Sequence, residues 1–404
     1  DGTLLVSSSW DETARVWNVS TGDEIGALKG HEGWVSMAKF SRDGRFIATS
    51  SYDKTARLWD VEQGFMLQVY TGHENSLLAL DFSPDGKWIA TSGEDTAVRI
   101  WRVQTGREAA TLVGHEGHIE GLAFSPDGAR VVTGSWDKTA RVWDTASGAV
   151  TAHLTGHTSV IRAAAFSPDG STVATGSSDA TIRIWTVPNG TSRYILRGHT
   201  KGIRALSYSP DGTLIASCAF EPVARLWSVA TGESRFALSG HQQLLTSLTF
   251  SPDGALLATT ANDSSTRIWS TVTGAEMSVL TGHDGPVRTA AFSPDGALIA
   301  TGSEDGDARL WSTEGGDLVA ILNGHTGFLE SVRFSPNGKL LVTTSRDKSA
   351  RLWRTEDGKQ LHVARGHTGF VVEAEFSPDG VLYATASNDK TARIWDVETG
   401  REVQ

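Results

Sequence analysis

Apolar and polar residues alternate along this chain in short runs, each closed by turn-forming residues. The stretch from Val35 to His73 shows the arrangement. Val35–Phe40 predicts a strand, and the turn Ser41-Arg42-Asp43-Gly44 follows it; elsewhere that turn reads Ser-Pro-Asp-Gly, as at Ser83–Gly86. Proline followed by Asp-Gly presets a reversal, which suits a hairpin. A second strand, Phe46–Ser50, runs into a tight turn at Asp53-Lys54. The third, Thr55–Asp60, alternates Ala56 and Leu58 with Arg57 and Trp59, a period-two pattern. A turn at Gln63-Gly64 leads to a fourth strand that ends before Gly72-His73. The apolar runs stop after about four or five residues, far below the roughly 20 that span a bilayer.

This unit recurs. Gly-His stands at Gly30-His31, Gly72-His73, Gly114-His115 and on to Gly366-His367, always 42 residues apart. Tryptophans from Trp17 to Trp395 keep the same interval, without insertion or deletion. Four antiparallel strands in roughly 40–45 residues make one propeller blade. The predicted class is therefore all-β, a β-propeller of four-stranded antiparallel blades.

Gly-His, Ser-Pro-Asp-Gly, a turn aspartate and Arg-aliphatic-Trp at these offsets resemble the WD-repeat (WD40) family, over essentially the whole chain. The Trp-Asp pair itself survives only at Trp59-Asp60, Trp143-Asp144 and Trp395-Asp396. Such regular repeats also resemble those of bacterial proteins that carry kinase or nucleotide-hydrolysing domains. With Asp1 falling inside a turn, the expectation is a piece of a longer bacterial-type repeat protein.

Each unit supplies a histidine, a serine or threonine, and an aspartate, the residue types of a nucleophilic triad. A catalyst needs one such set in one cleft, whereas here the set recurs with a tryptophan six residues after the aspartate. The family resemblance implies a structural tetrad, as in His31, Thr49, Asp53 and Trp59, or His115, Thr133, Asp137 and Trp143. Buried polar groups must be paired, and a satisfied network fixes strand register. Histidines 42 residues apart are too dispersed to share a metal, so neither metal nor cofactor is expected. The arginine two residues before each Trp reads as a packed stem with a bonded guanidinium. One unit departs: Glu221-Pro222-Val223 stands where others have Asp-Lys-Thr. Proline removes a donor and the longer carboxylate shifts the network, so this blade is expected to be weak.

Positions that vary between units are free to be specific. They lie just before the turn aspartate (Trp10, Tyr52, Trp136, Phe220), three residues after the Gly-His histidine (Trp34, His118, Phe328, Phe370) and five after it (Glu120, Arg162, Arg204, Arg288). The resemblance places all three offsets on the propeller's top face. Exposed aromatics and arginines are enriched at binding hot spots. Aromatic anchors beside guanidiniums suit a peptide with an apolar side chain near carboxylates or phosphate.

The reading is a non-enzymatic scaffold for a protein or peptide partner. The alternative is the sensor half of a larger signalling protein. An enzyme has least support, since no acid–base pair stands outside the repeat, and no small-molecule substrate is implied. A net charge of −11 argues against a nucleic-acid partner. One cysteine, Cys218, forms no internal disulfide and suits a cytoplasmic setting. Propellers close by completing one blade from both chain ends. Pro286–Phe292 is expected to complete the blade begun by Thr3–Lys29, giving a seven-bladed propeller over residues 1–292 and a partial second one over 293–404. A single ring of nine or ten blades is the competitor.

Overall fold

The computed structural model describes residues 4–8, 12–18, 24–41, 43–61, 65–93, 95–377, 380–389 and 392–402. All regular elements among them are strands. They form ten antiparallel sheets in chain order, eight of four strands and, at the two ends, two of three. In one sheet Val35–Phe40, Phe46–Ser51, Ala56–Asp60 and Met66–Tyr70 pair in sequence order. The third strand starts one residue later than the alternation predicts, because Thr55 belongs to the turn. Its backbone N–H and its hydroxyl both donate to Asp53 Oδ1, at 2.9 and 2.7 Å.

The hairpin turns owe their shape to their sequence. At Ser83–Gly86 the serine hydroxyl donates to Asp85 (2.6 Å) and accepts the Trp88 N–H (3.0 Å). Gly86 takes φ +69°, a conformation glycine adopts without a Cβ penalty. A different constraint fixes the glycine of Gly-His. At Gly156, with φ +137°, a Cβ would lie 2.6 Å from Nη1 of Arg183. In all nine blades with a Gly-His the arginine two residues before the tryptophan packs over that glycine; Arg183 also donates to the Gly156 carbonyl (2.7 Å) and lies over the Trp185 ring.

The core sits between sheets, not within one. Ala56, Leu58 and Tyr70 are covered by Leu77, Leu80, Ile89 and Trp101 of the next sheet. Ile182, Ile184 and Leu196 meet Ile203, Ile215 and Trp227 in the same way. First strands of consecutive sheets lie side by side, so the sheets are the blades of a β-propeller. No helix among the described residues is long and apolar enough to cross a membrane.

The strand expected to close a seven-bladed ring does something else. Val287–Phe292 opens its own sheet, pairing with Leu298–Ser303 in the register Val287↔Ser303 to Phe292↔Ile299. The boundary drawn at 292/293 therefore falls in the turn between two paired strands. Leu4–Ser8 pairs with Thr13–Asn18, and Val371–Phe376 with Leu382–Ser387; neither end strand pairs with the other among the described residues. Each unit carries its own first strand 42 residues on, so the local hairpin across Ser293–Gly296 forms without long-range closure.

Candidate functional site

In each of nine blades a buried chain of hydrogen bonds runs from tryptophan to a carboxylate, an aspartate in eight and Glu221 in the ninth. In one, Trp143 Nε1–H donates to Thr133 Oγ1 (2.9 Å), and His115 meets Thr133 through Nε2 (2.8 Å) and Asp137 through Nδ1 (2.7 Å). Indole N–H only donates and a carboxylate only accepts, so the direction is forced. The threonine hydroxyl gives its proton to His115 Nε2, and His115 Nδ1–H gives to Asp137. His31, Thr49, Asp53 and Trp59 make the same set. Burial lowers the basicity of His115, and the neighbouring carboxylate only partly opposes this. For Asp179, burial raises the carboxyl pKa, but donors from Thr181, the Thr158 N–H and His157 outweigh it and hold it at about 2. A neutral imidazole thus faces an ionised carboxylate. Thr49 and Thr133 are buried and their hydroxyls committed, so these sets hold blades together and offer no nucleophile. Among the described residues no group of three or more His, Cys, Asp or Glu is placed to hold a metal.

The longer carboxylate of the Glu221 blade keeps the whole chain of hydrogen bonds. His199 meets Glu221 Oε1 at 2.5 Å and Ser217 at 2.8 Å, and Trp227 donates to Ser217 at 2.8 Å.

The tetrad also builds the variable face. Its carboxylate accepts the N–H of the residue after the histidine, as Asp53 does from Glu32 at 3.0 Å. That contact holds the loop carrying the third residue after the histidine against the turn carrying the residue before the aspartate. These two positions then share a backbone bond: Tyr52 N–H to Trp34 O at 2.8 Å, Trp136 to His118 at 2.9 Å, Phe220 to Gly202 at 3.0 Å, Arg346 to Phe328 at 2.9 Å. The fifth residue after the histidine is the extra residue of a β-bulge in all nine blades that have a first strand. Ser36, Leu78, Glu120, Arg162, Arg204, Thr246, Arg288, Glu330 and Val372 each fall in a register shift. A bulge re-aims a side chain out of the ladder, and Arg162, Arg288 and Glu330 accordingly reach the residue before the turn aspartate of their blades, Ser178, Glu304 and Arg346.

Of the predicted site residues, Trp10 lies outside the described residues, as does the side chain of Glu120. Trp34 and Tyr52 form one aromatic pair, centroids 5.4 Å apart, and His118 and Trp136 another at 5.5 Å, edge to face. Trp34 is 42% exposed and Trp136 48%; Phe220, Phe328 and Phe370 are exposed too. The three arginines are not a run of open guanidiniums. Arg162 donates to Ser178 Oγ (2.9 Å), Arg204 to the Leu245 carbonyl of the next blade (2.7 Å), and Arg288 is paired with Glu304 (2.6 Å). Arg346 had not been singled out. Its guanidinium lies over both Phe328 and Phe370 and is paired with Glu330. The signal was in the sequence, since Arg346 occupies the same offset as Trp136 and Phe220.

The profile of the family described as "WD domain, G-beta repeat" matches ten successive segments, 1–18, 22–60, 64–102, 106–144, 148–186, 190–228, 232–270, 274–312, 316–354 and 358–396. The chain belongs to the WD40 family. No curated protein matches it. Among solved structures it is similar to the crystal structure of the computationally designed Ika8 protein, at 28% identity and a TM-score of 0.60, over 81% of this chain and 98% of that one. WD40 propellers generally mediate protein interactions and generally serve as non-enzymatic scaffolds.

Proposed function

We propose that this WD40 propeller is a protein-interaction scaffold that grips a peptide or protein segment on its variable face and catalyses nothing itself. The observation that carries the reading is the shared construction of that face. In blade after blade a recurring tetrad, a backbone bond and a β-bulge bring the three most variable positions together. Exposed large aromatics concentrate there: Trp34, Tyr52, Trp136, Phe220, Phe328 and Phe370. Flat rings with few rotatable bonds bury much area at low entropic cost, which is why such residues dominate binding energy.

The test uses a Trp34→Ala, Trp136→Ala double variant. Both side chains are half exposed and outside the tetrads, so the variant is expected to melt like the parent. Its capture of the partner recovered by the parent should fall at least about tenfold, since each lost anchor is worth about 1–2 kcal/mol or more. Full capture by the double variant, with loss of capture on outer-strand changes at Leu318 and Ile321, would move the site to the rim.

A further inference from the structure

The stack around Arg346 is built differently from the other polar contacts of the face. Phe328 and Phe370 stand at the same offset on consecutive blades, both about two-fifths exposed, at 39% and 42%. The Arg346 guanidinium carbon lies 5.3 Å from the centroid of one ring and 5.7 Å from the other, and Nε pairs with Glu330 Oε1. Two ring faces and one carboxylate around a planar cation are what guanidinium recognition needs: ring quadrupoles attract the charge and the carboxylate accepts its N–H groups. The arginine side chain is itself 40% exposed. An exposed cation on rings gains little over water and holds its place weakly.

We propose that Phe328, Phe370 and Glu330 form a subsite for the guanidinium of an arginine side chain on the partner, which Arg346 of this chain fills until the partner displaces it. The inference rests on the face being the binding surface and names one group that it takes. Exchange swaps like for like: the incoming guanidinium inherits the rings and the carboxylate, while Arg346 turns to solvent. The net charge of −11 favours the approach of a cationic segment. The cost is reduced affinity in the parent, because the site is open only for the fraction of time that Arg346 is away.

Calorimetric titration with acetyl-Ala-Arg-Ala-amide, and with the same peptide carrying norleucine for arginine, reads this directly. Arg346→Ala is expected to bind the arginine peptide about tenfold more tightly than the parent, as it would if the internal arginine fills the site about nine-tenths of the time. Arg346→Met, which keeps side-chain bulk without charge, is a second background in case alanine loosens the loop. Adding Phe370→Ala or Glu330→Gln to either variant should abolish the gain, and the norleucine peptide should bind none of them. Equal binding by parent and Arg346 variants, or equal binding of both peptides, overturns the proposal. Partner capture by the Trp34, Trp136 variant is read separately. Its loss alongside a null titration sinks only the arginine subsite, whereas retained capture sinks the reading of the face.

Discussion

Each tetrad threonine has two partners that no solvent can replace. Thr133 accepts from Trp143 and donates to His115 while fully buried. Thr133→Val keeps the shape and removes both bonds. The indole N–H and the imidazole Nε2 are left unpaired, each costing about 1–3 kcal/mol. The expected loss shows as a lower urea midpoint with an unchanged slope. A variant as stable as the parent would mean that the chain does not stabilise the blade. Burial, not proton direction, sets these residues apart from a catalytic triad: hydroxyl, imidazole and carboxylate are bonded in the same order as in one, but Thr133 is fully buried, out of a substrate's reach.

At the scale of one element, the Glu221 turn shows two departures that offset each other. Among the described residues, the one after the turn aspartate adopts positive φ, as at Lys54 (71°), Lys138 (73°), Ala180 (67°) and Lys348 (71°). Proline is locked near −65°, so Pro222 rules that turn out. A carboxylate on the reshaped turn needs one more methylene to reach its histidine, and Glu221 supplies it, with Oε2 accepting the Thr200 N–H at 3.0 Å. Glu221→Asp alone should therefore destabilise, by about 1–3 kcal/mol for the stranded donors. Glu221→Asp with Pro222→Lys should recover most of that, and a double-mutant cycle on urea midpoints measures the coupling. Additive effects would mean that the two changes arose independently. The bulges belong to this scale as well. Nothing in the alternation of Ile161–Phe166 marks Arg162 as the residue left out of the ladder; only pairing with Thr172–Ser177 does.

Across the whole molecule the tetrads add up to a pH response. Burial lowers the pKa of His115, His157, His199, His241, His325 and His367, against partial opposition from their carboxylates. The unfolded chain, with ordinary histidines near 6.5, then takes up protons first on acidification. Stability is full above about pH 6.5 and falls as pH drops below it. Asp179 and Asp305, held at about 2, give up their share between the ordinary carboxylate range and that value. The urea midpoint should thus be lower at pH 4.5 than at pH 7.5; a rise would mean that the folded histidines are charged. Charge also specifies neighbours at this scale. Lys39 pairs with Asp81 and Arg333 with Glu373 across adjacent first strands, positions that are uncharged in most other blades, such as Ala123 and Ala165.

The sequence by itself determined the blade. Period-two runs, Pro-Asp-Gly turns and a 42-residue interval leave one local answer, and the tetrad residues follow because every unit repeats them. The variable positions were legible as offsets, with Trp34, Tyr52, His118 and Trp136 among them. Which side chains meet was not. Arg288 finds Glu304 within its blade, Arg204 reaches into the next one, and Arg346 bridges two rings 42 residues apart. Such contacts depend on bulges and on the twist between neighbouring sheets, which no single strand encodes. The pairing of Val287–Phe292 was decided in tertiary structure for a related reason. All first strands carry nearly the same pattern, so pattern alone cannot choose a partner, and the strand pairs across its own short Ser-Pro-Asp-Gly turn because the nearest closure costs least entropy.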